Sequence, residues 1–447
     1  VSHVELTSAL AAWSTNSDEL TRVSIDRSGV APAGLPDLVV FAKSVDDVVR
    51  TVSYAAAKGV PVVPRGAGSG VAGGAVAGDG SIVLDLSGLD RIVAVHADEA
   101  IAVVEPGVIT ADLDAAAAAQ GLRYAPDPAS AAISTIGGNI ATNAGGLRCV
   151  KYGVTRDAVL ALDAVLGDGT LVSTGRRTLK GVTGYDLTSL LVGSEGTLGV
   201  VVGATLRLSP QPVSTATASA FFATAEDAVA AVTALQRKGL RPSTAELLDQ
   251  ATLAAIDEAN GGDLHTRGEV FLLLQTDGYG AEAELAVAEQ VIRPLATSVE
   301  TTTDPDTAVR LVATRRAALP AIERHGRVLI EDIAVPRSRL AETVTAVESI
   351  AAATGVRIFV FAHVGDGNLH PIVLADSAPA EQVDRAVAAI FEHAIAVGGT
   401  LTGEHGVGVL KRPWLAAELG DPVLELHRRI KAVFDPAGIL NPGKAIS

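Results

Sequence analysis

The sequence predicts an α+β chain built in two parts, and three observations predict it. Residues 31–212 alternate helix-period and strand-period segments and carry three glycine-rich stretches. Residues 213–400 alternate Ala-rich helices with apolar strands and have no such stretch. Pro210 and Pro212 stand where the texture changes. A chain of 447 residues holds two or three domains at about 100–200 residues each. The expected division is an N-terminal segment 1–30, a glycine-loop domain 31–212, a cap (substrate) domain 213–407 and a C-terminal segment 408–447 that packs back on the glycine-loop domain.

In chain order, Ser44 and Asp47 form a capping-box pattern before VDDVVRTVSYAAAKG. Val45, Val48, Val49 and Val52 make its apolar stripe, and Gly59 suits the position just past a helix end. VPVVP reads as a short buried strand and SIVLDL as another. RIVAVHADEAIAVVEPGV reads as a hairpin with its polar centre at Ala97–Glu99. Thr110 is placed to cap the helix ADLDAAAAAQ, which stops at Gly121. Beyond Pro212, AEDAVAAVTALQRKG is a helix, and EVFLLLQTDG and RIFVFAHVG are strands. The tail HRRIKAVFDPAGILNPGK is a helix closed by a Pro/Gly turn.

Composition narrows the function. Apolar residues are 48% of the chain but aromatics only 3%, so Ala, Val and Leu fill the core. No apolar run approaches the roughly 18–20 residues of a membrane span. The N-terminal stretch has no basic region or small-residue cleavage site, so it does not read as a signal peptide. One cysteine, Cys149, excludes an internal disulfide and a Cys-ligated cluster. Cytoplasm is the default compartment, with docking at the inner membrane face left open. The net charge of −16 opposes nucleic-acid binding, which needs a basic footprint.

The glycine stretches are the first functional signal. PRGAGSG begins straight after a strand, at Pro64, Arg65, Gly66, Ala67, Gly68, Ser69 and Gly70. Its backbone N–H groups can face phosphate oxygens, although a bare turn fits equally well. It is neither a Rossmann fingerprint nor a P-loop, because no helix follows with the required spacing and no G-K-[ST] is present. The second stretch holds Ser134, Thr135, Gly137, Gly138, Asn139, Asn143, Ala144, Gly145 and Gly146, and Gly193–Gly199 forms a third. Three such loops over about 130 residues imply an extended ligand such as a dinucleotide, because so much uncovered backbone needs partners.

The order of these motifs resembles the FAD domain of the vanillyl-alcohol-oxidase (PCMH-type) family. PRGAGSG, YAPDPASAAISTIGGNIATNAGGLRCVKYG and KGVTGYDLTSLLVGSEGTLGVVVGATLRL carry the resemblance. HVGDGNLH, GTLTGEHGVG and KAVFDPAGILNPGK extend it to the branch of D-lactate dehydrogenases and the FAD subunit of glycolate oxidase. The resemblance implies a PCMH-type FAD domain of two α/β subdomains, with an α+β cap. It assigns FAD binding to residues 65–70 and 134–146, to Pro128 near the cofactor, to Glu195, Gly196 and Val200, and to Asn441 returning from the C-terminus. Some relatives attach FAD through a His in the first loop. Ser69 stands there, so non-covalent FAD is expected.

The cap carries the second signal. His363 and His370 flank Asp366-Gly367, a two-residue hairpin pattern that pairs 363 with 370 and brings the imidazoles together on one face. Two core histidines bonded to carbonyls would show the same spacing. Glu404 in TGEHGVG offers a carboxylate, and two His plus a carboxylate suits Zn²⁺, with Mn²⁺ or Fe²⁺ also possible. The resemblance assigns the ligand roles to His363, His370 and Glu404. It also assigns the base to His405 and the substrate carboxylate to Arg315, beside Arg316. Asn368 can donate to the substrate or stabilise the turn. Related hydroxyglutarate dehydrogenases hold a distal carboxylate with Thr, Lys and Asn, where this chain has Leu319, Ile330 and Ile372.

The implied activity is therefore an FAD- and metal-dependent dehydrogenase for a small D-2-hydroxy acid of the lactate or glycolate type. D-2-hydroxyglutarate oxidation, a flavin-dependent transferase and an accessory subunit are the alternatives. The electron acceptor is left open among an electron-transfer protein, a quinone and a cytochrome. O₂ use and a homodimer are left open too. Acid precipitation of the yellow protein is expected to release its flavin into the supernatant, and flavin retained on the pellet would refute non-covalent binding.

Overall fold

Ser44 opens the first long helix, Val45–Lys58, with the capping box that its sequence encodes: its hydroxyl accepts the Asp47 N–H, and the Asp47 carboxylate accepts the Ser44 N–H. Gly59 ends it at φ +67°, a left-handed conformation that costs a glycine little. Val48, Val52 and Ala55 on this helix are buried against Leu38, Val40, Val62, Ile82 and Leu84. The computed structural model that shows this describes residues 3–178 and 180–446.

The chain forms two units. The first comprises the chain up to Gly146, Gly153–Gln211, and the chain from Glu404 onward. Its first sheet places the strands in the order Trp13–Ser14, Leu38–Phe41, Ile82–Asp85 and Val62–Arg65. The last three are parallel, as buried apolar runs linked by crossovers should be. Its second sheet is antiparallel: Ile92–His96, Ile101–Val104, Val200–Arg207, Val159–Val165 and Leu171–Gly175. The expected hairpin is present, with Ala97–Glu99 as a 3₁₀ turn at its tip. Val165, Val200 and Val202 of this sheet join the core of the first. The C-terminal return adds a parallel bridge from Leu440 to Val62, where Val62 N–H donates to Ile439 O and Asn441 N–H to Val62 O, both at 2.8 Å.

Thr110 corrects one sequence expectation. It is the first residue of the helix Thr110–Ala118, and Ile109 takes the cap position without a side-chain bond. The Thr110 hydroxyl donates instead to Ser134 O at 3.0 Å and accepts from Asn139 Nδ2 at 2.7 Å. A tertiary partner on the glycine loop has won over local capping.

The second unit comprises Leu147–Tyr152 and Pro212–Gly403. One antiparallel sheet runs Ser298–Thr302, Thr215–Phe222, Val270–Asp277, Thr244–Asp249, Ile358–His363, Asn368–Leu374 and Val328–Ile330, and Ile333–Ala334 also pairs on Asn368–Leu374. Phe221, Phe271, Phe359 and Phe361 from its strands pack with Ile256 and Ile322 from its helices. The short insert Leu147–Tyr152 is held by Asp277, whose carboxylate meets Lys151 Nζ at 2.5 Å and Tyr152 OH at 2.8 Å. Among the described residues, no helix is long and apolar enough to cross a membrane.

Asp249 caps the helix Gln250–Asn260 through the Thr252 N–H at 2.8 Å and accepts the Val360 N–H at 2.9 Å on its other oxygen. Burial pushes its carboxyl up to about 6 from an ordinary 3.8. Between those values the unfolded chain has lost a proton that the folded chain keeps, so this group's contribution to stability falls as pH rises through that window. Urea unfolding at pH 4 and pH 7 is expected to show wild type losing about 2 kcal/mol relative to Asp249→Asn. Equal pH slopes for the two proteins would contradict this assignment.

Candidate active site

In the first unit the glycine loops lie against one another. A Cβ on Gly66 would fall 2.3 Å from Thr135 Oγ1, and one on Gly137 would fall 2.7 Å from Pro106 Cβ. Thr135 caps the short helix Ile136–Thr142 through the Gly138 N–H. Ser134 O receives Thr110, Asn139 donates to Thr110, and Asn143 ends the helix at φ +54° while accepting the Arg156 N–H. Ala144 O receives the Thr155 N–H and hydroxyl. A Cβ on Gly146 would fall 2.9 Å from Pro128 N, so the Pro128 loop closes on the second glycine stretch.

These loops fit a phosphate-bearing ligand by the chemistry of their donors. Among the described residues, none accepts a hydrogen bond from the N–H groups of Gly66, Ala67, Gly68, Ser69 or Gly70. The same holds for Gly145 and Gly146, which are buried. Buried backbone donors without acceptors are rare in folded proteins, and a diphosphate would satisfy them. Arg65 is different. Its guanidinium is buried and donates to Val23 O at 3.2 Å and Ile25 O at 2.6 Å, and desolvation lowers its pKa. A Cβ on Gly68 would fall 2.0 Å from Arg65 Nη2, so the side chain props the loop from beneath.

Glu195 holds the C-terminal return to these loops. It adopts φ +52°, and its buried carboxylate accepts the Val407 N–H at 2.7 Å and the Gly408 N–H at 2.8 Å. Burial raises its pKa against those two bonds. Asn441 Nδ2 donates to Glu195 O at 2.8 Å and to Gly74 O at 2.9 Å. Lys444 Nζ donates to Asn441 Oδ1, and burial depresses this ammonium to about 8. Gly196, at φ +71°, rests on Pro64. Val200 begins a strand and its side chain belongs to the core. Glu404 and His405 precede the clamped residues, with His405 Nε2 at 3.8 Å from Glu404 Oε1 and Glu404 Oε2 close to Gly145.

In the second unit the histidine hairpin differs from the expected register by two residues. His363 pairs with Asn368, Ala362 with Leu369 and Phe361 with His370, so the turn spans 364–367. The N–H groups of Asp366 and Gly367 both close back on His363 O. Gly367 lies at φ +90°, its O accepts the Val335 N–H at 2.9 Å, and a Cβ there would fall 2.3 Å from Val335 O, so the chain just after Ile333–Ala334 packs on the longer turn. An even shift keeps every side chain on its face. The two imidazoles therefore still adjoin, with ring centroids 5.1 Å apart.

A residue missed in the sequence organises this face. Glu246 is fully buried and divides its oxygens, with Oε1 at 2.6 Å from His363 Nδ1 and Oε2 accepting from Arg315 Nε at 2.8 Å. A proton on His363 Nδ1 leaves the lone pair on Nε2, the pattern of a metal-binding His backed by a carboxylate. The Arg315 side chain is only 11% exposed, yet among the described residues none accepts a hydrogen bond from its Nη groups. Arg316 is exposed. Arg315 stacks on Phe361 at 4.3 Å, and Phe361 lies 5.4 Å from His370.

Asp332 is the second missed carboxylate. It is buried and accepts from Asn368 Nδ2 and Thr402 Oγ1, each at 2.7 Å, and it lies 3.9 Å from His370 Nδ1. Asn368 Nδ2 also donates to Ile333 O at 2.8 Å. Both amide hydrogens are thus used inside the unit, which corrects the expectation that Asn368 donates to a substrate; it holds the turn. Thr400 bridges Ala334, and a Cβ on Gly403 would fall 2.3 Å from Asn368 Nδ2, so the chain leading into Glu404 is fixed beside this turn. Leu319, Ile330 and Ile372 pack in one apolar cluster. A carboxylate within an apolar run, as in TAELLD and LIEDIAV, was the available signal for Glu246 and Asp332.

Comparison with known proteins agrees with this architecture. A family model described as FAD binding domain matches residues 36–175, and one described as FAD linked oxidases, C-terminal domain, matches residues 211–445. Glycolate oxidase subunit GlcD of Bacillus subtilis (strain 168) is 41% identical over 417 residues, covering 92% of this chain and 89% of the relative. A D-lactate dehydrogenase of Archaeoglobus fulgidus is 36% identical over 420 residues, covering 93% of each. The mitochondrial D-lactate dehydrogenase [cytochrome] of Arabidopsis thaliana is 35% identical over 419 residues, covering 92% of this chain and 74% of the relative. Substrate-bound p-cresol methylhydroxylase has the same fold, with a TM-score of 0.80 at 17% identity over 98% of this chain and 95% of the other.

Fold and matches together define a class, the FAD-binding oxidoreductases. Within it, this chain belongs to the FAD-linked oxidases, and it has the fold of p-cresol methylhydroxylase.

Removing the Glu195 carboxylate leaves the Val407 and Gly408 N–H groups unpaired. Glu195→Ala is expected to lower unfolding free energy by roughly 2–6 kcal/mol, counting about 1–3 kcal/mol for each of the two donors. A loss below about 1 kcal/mol in urea titration would contradict the clamp.

Proposed function

We propose that this oxidoreductase oxidises a small D-2-hydroxy acid, of the D-lactate or glycolate type, to the 2-oxo acid. The observation that carries this reading is Arg315, a largely buried guanidinium whose outer edge meets no acceptor among the described residues. Such an edge suits one carboxylate held by two parallel bonds.

Bound FAD supplies the hydride acceptor at N5. His363, His370 and Glu404 would hold a divalent ion, for which Zn²⁺ best suits two imidazoles and a carboxylate and Mn²⁺ or Fe²⁺ would also serve, and which would supply Lewis-acid chemistry that lowers a hydroxyl pKa. Arg315 binds and orients the substrate carboxylate, which fixes which face of C2 is presented. His405 takes the hydroxyl proton on an imidazole nitrogen, chemistry for which imidazole is suited near neutral pH. Residues 66–70 and 134–146 would hold FAD without a covalent link, with Glu195 and Asn441 holding the return that closes the loops. The electrons then pass to an electron-transfer protein, a quinone or a cytochrome; the Arabidopsis relative's name supports the last.

The apolar packing of Leu319, Ile330 and Ile372 argues against a second substrate carboxylate, and so against D-2-hydroxyglutarate. A second reading is favoured by the Bacillus relative, which is named as a subunit of glycolate oxidase. In it the chain performs the same oxidation within a larger complex.

Anaerobic mixing of the purified chain with D-lactate, glycolate and D-2-hydroxyglutarate tests these readings together. D-Lactate or glycolate is expected to bleach the flavin at least about tenfold faster than the dicarboxylate, as a missing carboxylate partner would impose. In the same assay His405→Ala is expected to slow bleaching by about 10²–10⁴-fold with substrate affinity little changed. No bleaching by any of the three acids would overturn the proposal.

A further inference from the structure

Five side chains of the second unit form a closed ring. Arg315 stacks on Phe361 at 4.3 Å, and Phe361 packs on His370 at 5.4 Å. His370 packs edge-on against His363 at 5.1 Å. His363 Nδ1 meets Glu246 Oε1 at 2.6 Å, and Glu246 Oε2 returns to Arg315 Nε at 2.8 Å. Three strands and a helix contribute: Thr244–Asp249, Ile358–His363, Asn368–Leu374 and Pro305–Arg316. Glu246 is the only member with two charge-assisted bonds in the ring, and it is fully buried.

We propose that Glu246 is a positioning residue that makes the carboxylate anchor and the histidine pair one unit. The inference rests on the hydroxy-acid reading above. Its two oxygens have separate tasks. One fixes the tautomer of His363, leaving Nε2 as the metal-facing nitrogen. The other occupies Arg315 Nε, so the side-on edge of the guanidinium is closed to a ligand. Only the end-on edge, Nη1 with Nη2, remains for the substrate carboxylate. Phe361 beneath the guanidinium plane keeps that edge from swinging.

An amide cannot replace this carboxylate, because its single oxygen accepts from Arg315 or from His363 but not from both, and its NH₂ opposes the other donor. An aspartate keeps the charge but is one methylene too short to reach both. Two measurements separate positioning from mere packing. Chelator-stripped protein is titrated with Zn²⁺, and Zn²⁺-saturated, FAD-loaded protein is assayed with D-lactate, or with glycolate if that acid bleaches the parent faster. Glu246→Gln is expected to raise the Zn²⁺ Kd by about 10–100-fold. With Zn²⁺ saturating, it is expected to raise KM at least about tenfold while kcat changes less than about threefold, the signature of lost uniform binding. Glu246→Asp is expected to show the same paired loss and serves if the Gln variant does not fold. A change in Zn²⁺ affinity alone, a change in KM alone, or neither in a folded variant would overturn the proposal. The hydroxy-acid reading fails separately, in the parent protein, if neither acid reduces its flavin.

Discussion

A carboxylate taken out of water must be met by donors, and this chain is organised around carboxylates that satisfy that demand across long sequence distances. Glu195 draws the C-terminal return onto the glycine loops through two backbone N–H groups. Asp249 ties a helix start to a neighbouring strand. Glu246 and Asp332 stand behind the two histidines. Each is costly to bury alone and each is paired, so each fixes the geometry of whatever supplies the donors.

The legible part of the sequence was local. The capping box at Ser44 and Asp47, the left-handed Gly59 and the 97–99 hairpin tip all depend on residues a few positions apart. The glycine loops were legible as a type, and their joint order supplied the family. The register of the histidine hairpin was not legible. Asp-Gly favours a two-residue turn, but the observed turn has four residues and meets Val335, which lies about thirty residues away. Parity survived the error, which is why the pair of imidazoles was still expected on one face. Thr110 was misread for the same reason: its partner lies 24 residues away.

Glu246 and Asp332 show where sequence reasoning ends. Each sits in an apolar run that reads as an ordinary strand with one polar interruption. Nothing in periodicity reveals that Glu246 will meet Arg315, 69 residues on, and His363, 117 residues on. Arg65 lies in the stretch that the resemblance assigns to FAD, and its guanidinium faces inward to two carbonyls and supports the loop's shape. Conformation and binding thus fall to different parts of one motif, the side chain and the backbone.

The insert Leu147–Tyr152 gives the second unit a break in its sequence. The chain enters that unit for six residues, is held there by Asp277 through Lys151 and Tyr152, and departs again before returning at Pro212. The second unit is therefore not a cassette. A gene fragment encoding only 212–403 would carry the buried Asp277 carboxylate without those two partners, and grafting that fragment onto another flavin domain would require the host to supply a matching Lys and Tyr from its own loop. Exchange of this unit between such proteins by recombination is constrained to crossovers that move both pieces together.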